Sequence, residues 1–131
     1  MSRHHKIAFA LSWMVLIFIL SSIPGSYTGP EGGMFDLIKK VLHFCIFGVL
    51  ALAYFRVFEG ARYFTGRLRA AYVTSFVLAA LYAMSDEYHQ LFTPGRHASP
   101  YDVLIDSAGA VVFLAVLGVK RRSEKPYQTS K

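Results

Sequence analysis

Four long runs without Lys, Arg or Glu constrain this chain more than any other feature. They cover residues 7–23, 41–55, 70–85 and 103–119, and the only charged or histidine side chains in them are His43 and Asp106. Charged residues make up only 17% of the chain, against about 25% in a soluble domain. That leaves too little polar surface to cover four buried helices. The sequence therefore predicts an all-α integral membrane bundle of four transmembrane helices with short loops.

Composition excludes several other classes of protein. With 54% hydrophobic residues the chain is too apolar to be disordered. A single cysteine excludes a disulfide scaffold and a cysteine-based zinc site. The 131 residues suit one membrane domain over 1–131, with no separate catalytic module. No cofactor is predicted.

The predicted spans follow from the thickness of the bilayer. A hydrocarbon core of about 30 Å needs about 20 helical residues, so three of the runs must extend at one end. The expected spans are 7–23, 38–57, 70–89 and 100–119, and the polar tail 120–131 is predicted to be disordered. The first run is interpreted as a retained helix, because Ser21–Ser26 lacks the small-residue pattern of a signal cleavage site.

Basic residues predict the orientation in the membrane. Eleven of the 14 Lys and Arg residues fall at the two termini or between spans two and three, and the exceptions are Lys39, Lys40 and Arg96. By the positive-inside rule both termini are cytoplasmic, and the loops near 24–36 and 86–102 face outward. The net charge of +6 is thus interpreted as a topology signal, and nucleic acid is not expected as a partner.

The extensions of spans two, three and four bring charged side chains to the outer end of the bundle. Ionisable groups are costly at that depth, so they are expected to face one another or a water-filled pocket. Helical spacing of three or four residues allows each set to share one helix face. We expect a pocket for an anionic group such as phosphate or carboxylate, with Arg96 as a bidentate clamp.

The same polar residues resemble a known family. They are Lys40, His43 and Phe44, the segment SDEYHQLFTPGR at 85–96, and Ser99, Asp102, Asp106 and Gly109. In this pattern the chain is similar to the VanZ-like family over roughly residues 10–118. The resemblance implies a small multi-pass protein of the bacterial cytoplasmic membrane, in a family whose founding member is associated with teicoplanin resistance. Family members often carry Asn at the position of Asp106.

Each candidate residue has a functional and a structural interpretation. The candidates for acid or base catalysis are Glu87, His89 and His43. The candidates for substrate binding are Arg96, Lys40, Asp86, Gln90, Asp102 and Asp106. Structurally, Glu87 could pair with Arg96, and Asp86 with Lys40 or a neighbouring turn. Asp102 could complete a capping box with Ser99 as N-cap and Pro100 at the first helical position. A metal site at Asp86, Glu87, His89 and Asp102 is a weaker alternative, because no metal-ligand spacing is present.

Three functions remain open from the sequence. The first is an envelope protein whose pocket binds a lipid-linked or peptidoglycan-related anionic group and alters glycopeptide susceptibility. The second is a membrane hydrolase or transferase in which Glu87 or His89 activates water or a hydroxyl. The third is a packing protein whose charges only hold helices together. Membrane lipids are the expected partners, and the sequence does not predict an oligomeric state.

Overall fold

The described part of the chain folds into four long helices, two of which are joined by a short 3₁₀ turn. The computed structural model describes residues 2–25 and 33–124. Helix α1 covers Arg3–Ser21, α2 Met34–Glu59, α3 Leu68–Gln90 and α4 Pro100–Ser123, and the turn Arg62–Phe64 joins α2 to α3. All four helices are long and apolar enough to cross a membrane. The predicted all-α bundle of four membrane helices is confirmed.

Polar contacts at both ends show that consecutive helices run in opposite directions. At one end Glu59, on the last turn of α2, pairs with Arg121 of α4 and lies 3.9 Å from Nζ of Lys6, near the start of α1. We call this the basic end, where α1 and α3 begin and α2 and α4 end. At the opposite end Ser21 of α1 bonds Asp86 of α3. The helices therefore alternate up and down, as short connections require.

Small residues let the helices approach closely. The buried core contains Ala51, Ala71, Ala79, Ala83 and Ala110, as is common where membrane helices pack without a hydrophobic driving force between them. Gly109 gives the closest approach, since a Cβ there would lie 2.0 Å from the carbonyl oxygen of Phe44. This contact brings α4 against α2 one turn away from Asp106 and directly beside His43.

Side-chain hydrogen bonds also fix the middle of α1 against α2 and α3. The indole nitrogen of Trp13 donates to the carbonyl of Ile46 at 2.8 Å, and the hydroxyl of Tyr82 donates to that of Met14 at 2.7 Å. Large apolar side chains such as Ile19 are left exposed on the outer faces of the bundle, where a bilayer would cover them. Burial inside the bundle is accordingly low for an apolar chain.

Each of the four observed helices is longer than its predicted span. Helix α2 begins four residues before Ile38, and α4 continues to Ser123 rather than Val119. The prediction of a disordered tail from residue 120 is therefore wrong for Lys120–Ser123, which form the last turn of α4. Basic side chains in this turn stabilise the C-terminal end of a helix. The rest of that predicted tail, 125–131, lies outside the described residues.

Candidate functional site

The end of the bundle opposite the basic end contains a small polar pocket. Its volume is about 60 Å³. It is formed by α2, the last turns of α3, the loop that follows, and the first turn of α4. Its lining residues are Asp36, Lys39, Lys40, His43, Glu87, Gln90, Gly95, Arg96, His97 and Asp102. The predicted convergence of three helices and the 93–99 loop is thus present, with both signs of charge.

Glu87 anchors the start of α4 while lining the pocket. Its Oε2 accepts the backbone N–H of Ser99 at 2.9 Å, and only 5% of the residue is exposed. Ser99 is the N-cap of α4, because its hydroxyl accepts the N–H of Tyr101 at 3.2 Å. The predicted cap at Ser99 and Pro100 is confirmed. The predicted capping box is wrong. The backbone N–H of Ser99 donates to Glu87 of α3 and not to Asp102.

The cations of the pocket have partners other than those proposed from sequence. Nζ of Lys40 pairs with Asp36 one turn earlier at 2.7 Å, so the suggested Lys40–Asp86 contact is not formed. Both side chains of this pair are partly exposed to solvent, which weakens an ion pair. A phosphate or carboxylate entering the pocket could therefore compete with Asp36 for Lys40.

Arg96 joins the pocket loop to the end of α1. Its Nε donates to the carbonyl of Ile23 at 3.1 Å and its Nη2 to that of Leu20 at 3.3 Å. No carboxylate within 2–25 and 33–124 forms an ion pair with it, so the suggested Glu87–Arg96 pair is not formed. These two bonds leave three of the five guanidinium N–H groups for another acceptor.

The same loop contacts the segment that follows α1 through its backbone. Gly25 N–H donates to the carbonyl of Pro94 at 2.9 Å. A Cβ on Gly25 would lie only 1.7 Å from the carbonyl oxygen of Gly95. Gly95 itself has a φ of +70°, a conformation that glycine adopts without steric cost. Two glycines therefore allow the loop to close against the end of α1.

Asp86 is buried behind the pocket rather than in its wall. Its Oδ2 accepts the hydroxyl of Ser21 at 2.7 Å and the side-chain amide of Gln90 at 3.1 Å. Both bonds are buried, so they satisfy a carboxylate that would otherwise be costly inside the bundle. Asp86 thus ties α1 to α3 and orients Gln90, which does line the pocket.

His89 faces α1 and does not line the pocket. Its ring lies 4.4 Å from that of Phe18, centroid to centroid, and its Nε2 lies 3.0 Å from the hydroxyl oxygen of Ser22. That hydroxyl donates its single proton to the carbonyl of Phe18 at 2.7 Å. Nε2 must therefore carry the proton in the bond to Ser22.

His43 and Asp106 form a contact between α2 and α4 beneath the pocket. Nδ1 of His43 lies 3.4 Å from Oδ2 of Asp106, and Asp106 is fully buried. His43 lines the pocket, whereas Asp106 does not. Oδ1 of Asp106 and Oδ1 of Asp102 are buried with no hydrogen-bond partner among the described residues. Of the two residues, only Asp102 lines the pocket, so only its oxygen lies where a ligand donor could satisfy it.

The nine sequence candidates thus divide by position. Those in the pocket wall are Glu87, His43, Arg96, Lys40, Gln90 and Asp102, and those outside it are His89, Asp86 and Asp106. Sequence reasoning missed Asp36 and His97 in the wall, and it placed Lys39 at this end of the bundle without listing it as a candidate. It also missed α1, whose Ser21 and Ser22 hold Asp86 and His89. The available signal was these two consecutive serines at the end of an otherwise apolar run.

The side chains do not gather into a metal centre. Within the described ranges no group of three or more His, Cys, Asp or Glu side chains is placed to hold an ion. The alternative metal site is not formed, because His89 turns toward α1 while Glu87 caps α4.

Fold and site together define a multi-pass membrane protein with a charged pocket at one end of a four-helix bundle. The family model described as VanZ/LLP1 matches residues 6–121. The chain therefore belongs to the VanZ/LLP1 family, as its polar motifs predicted. No curated protein and no solved structure matches the chain significantly.

Proposed function

We propose that this protein binds the anionic part of a lipid-linked or peptidoglycan-related envelope component in the pocket, which faces outward from the bacterial cytoplasmic membrane. The observation that carries the proposal is the gathering of Lys39, Lys40 and Arg96 at one small cavity. These are the same three basic residues that the positive-inside rule assigns to the outer side. Because this rule disfavours basic residues on the outer side, we assign them a role in binding.

The electrostatics of the pocket favour a small group with both anionic and donor character. Among the described residues, three cations and three carboxylates line it, the latter being Asp36, Glu87 and Asp102. The cations suit a phosphate or carboxylate. The unpartnered oxygen of Asp102 suits a neighbouring hydroxyl or amine on the same ligand. The positive N-terminal end of α4 points toward the same region.

The size of the pocket limits how an effect on glycopeptides could arise. Sites for drug-sized ligands have volumes of about 300–1,000 Å³, whereas this pocket has about 60 Å³. A glycopeptide therefore does not fit. Any change in teicoplanin susceptibility would act through the envelope component bound here. The expected signature is a change that depends on the pocket residues in a host expressing the protein.

Mass spectrometry of co-purified lipids tests the binding proposal. An anionic lipid present in the wild type should be lost from Arg96→Ala and from Lys40→Ala. Arg62→Ala is the matched control, because Arg62 is an exposed arginine at the basic end. Arg96→Ala also removes two hydrogen bonds to α1, so melting temperatures are needed for each variant. A lipid profile unchanged in the well-folded Lys40→Ala would contradict the proposal.

An enzymatic role is the second candidate, and it rests on Glu87 and His43 in the pocket wall. Glu87 is nearly buried and His43 is backed by Asp106, an arrangement that suits acid or base catalysis. His89, the other candidate base, is bonded to Ser22, so the role would fall to the other two. The substrate would carry a phosphoryl or carboxylate centre neutralised by Arg96 and Lys40.

Glu87→Gln separates the three functions. The amide keeps an oxygen that can accept the N–H of Ser99, so the start of α4 should be retained. An enzyme would lose turnover in this variant while its abundance and melting temperature stayed near those of the wild type. A binding protein would lose less ligand than in Arg96→Ala. A packing protein would instead show lower abundance or a lower melting temperature.

A further inference from the structure

A second cavity lies at the basic end, between the start of α3 and the end of α4. It is a groove of about 660 Å³, an order of magnitude larger than the outer pocket. One part of its wall is apolar, with Leu68, Ala115 and Val119, and the other part carries arginines. This combination suits a ligand with a charged head and a hydrocarbon chain.

The arginines come from both helices that form the groove. Arg69 lies on the first turn of α3 and Arg122 on the last turn of α4, and both are exposed. The third, Arg121, pairs with Glu59 and stacks 4.8 Å over the ring of Phe55, so it is already engaged. Arg69 and Arg122 can therefore approach one phosphate from two sides.

A buried hydroxyl provides a further donor at this groove. The oxygen of Tyr72, which lines the groove, is buried and has no hydrogen-bond partner in the part of the chain that the structure describes. The closest glycine of α4 is Gly118, where a Cβ would lie 3.7 Å from that oxygen. Gly118 also lines the groove, so the buried hydroxyl lies close to the groove wall. A buried hydroxyl without a partner is costly, and a ligand acceptor would remove that cost.

The first turn of α3 favours the same kind of ligand. Its N-cap residue, Arg67, makes no side-chain hydrogen bond to the first-turn N–H groups. Uncapped helix N-termini present N–H groups and a partial positive charge to anions. Glu124 is the only acidic side chain among the described residues that line the groove, and it lies 3.8 Å from Lys120.

We propose that this groove binds an anionic glycerophospholipid. Its phosphate lies between Arg69 and Arg122 and accepts the hydroxyl of Tyr72, and an acyl chain covers Ala115 and Val119. A lipid fits better than a soluble phosphate because both helices span the membrane and the apolar wall would otherwise remain uncovered. Basic pockets between membrane helices are suited to anionic lipid headgroups. This site is independent of the outer pocket and its proposed ligand.

Thermal unfolding of the purified protein with short-chain lipids tests the proposal. Dioctanoyl-phosphatidylglycerol should raise the Tm, and dioctanoyl-phosphatidylcholine should raise it less. Tyr72→Phe should weaken the response to phosphatidylglycerol by about tenfold in apparent affinity. Without lipid its Tm should not fall, because the variant removes an unpaired hydroxyl. A purely structural tyrosine would show the opposite pattern.

Charge-matched variants exclude a diffuse electrostatic effect. Arg69→Ala and Arg122→Ala should each weaken the response, whereas Arg62→Ala, the same change of charge outside the groove, should not. An equal loss in Arg62→Ala, or equal stabilisation by the two lipids, would overturn the proposal. So would a response to glycerol 3-phosphate as large as the response to the lipid.

Discussion

Asp106 is fully buried, and only one of its two carboxylate oxygens has a partner among the described residues. A charged side chain inside a membrane costs roughly 2.5–3.5 kcal/mol near the centre, so its bond to His43 must offset part of that. Asn is the neutral side chain closest in shape to Asp. An amide keeps a hydrogen bond to His43 without a charge. The arrangement therefore requires a polar partner for His43 more than it requires an acid.

Two substitutions at position 106 test this interpretation. Asp106→Asn should leave the melting temperature unchanged or raise it. Asp106→Leu should lower stability by about 1–3 kcal/mol, because His43 would lose its buried partner. Unfolding of the detergent-solubilised variants gives both values. Equal destabilisation by Asn and Leu would show that the charge itself is needed.

Ser21 is the residue whose role was hardest to predict from sequence. It lies on an apolar helix and donates to a carboxylate 65 positions away. Ser21→Ala should cost about 1–2 kcal/mol of stability, because Asp86 would lose a buried donor. Ser123→Ala is the control, since that exposed hydroxyl bonds only its own helix. Equal melting temperatures for the two variants would mean that the Ser21–Asp86 bond contributes little.

At the scale of the elements, the junction of α2 with α4 depends on the absence of one side chain. A Cβ on Gly109 would collide with the backbone of Phe44, whereas a Cβ on Gly118 would only touch Tyr72. Gly109→Ala should therefore push the helices apart and cost about 1–3 kcal/mol. Gly118→Ala on the same helix should be nearly neutral. Unfolding measurements on the pair isolate the close approach from the general effect of alanine.

The ends of the helices were predictable where local chemistry sets them. Ser99 and Pro100 start α4 by the ordinary capping rules, and the structure agrees. The partner of the Ser99 N–H was not predictable, because Glu87 reaches it from another helix. Likewise α4 extends four residues past Val119 because basic side chains stabilise the C-terminal turn of a helix. The length of an apolar run does not include this effect.

At the scale of the whole molecule, apolar run length and charge asymmetry were enough to predict the bundle. They do so because lipid leaves few structures that satisfy the backbone. The end of the bundle that contains the pocket was predicted in outline, because Glu87, His43 and Arg96 were expected to converge there. The individual partners were not predicted. Pairings such as Arg96 with the carbonyls of α1 depend on side-chain directions that helical spacing alone does not fix.

The orientation in the membrane is a prediction for the whole molecule. A cysteine replacing His97, in a Cys45→Ala background, should react with a membrane-impermeant maleimide on intact cells. A cysteine replacing Arg67 should react only after permeabilisation, because the positive-inside rule assigns the basic end to the cytoplasm. Both positions are exposed. Labelling of both from the same side, or the reverse pattern, would contradict the assigned topology.

The bonds from Arg96 to Leu20 and Ile23 have a consequence for biogenesis. They join positions 76 and 73 residues apart, so the first helix enters the membrane long before its partner is synthesised. The carbonyl groups at its C-terminal end must stay hydrated or bound to lipid until the hairpin of α3 and α4 has inserted. Insertion of α3 and α4 therefore also fixes the end of the first helix, because it brings Arg96 to these carbonyl groups. A nascent chain stalled before residue 96 should expose that end to proteolysis.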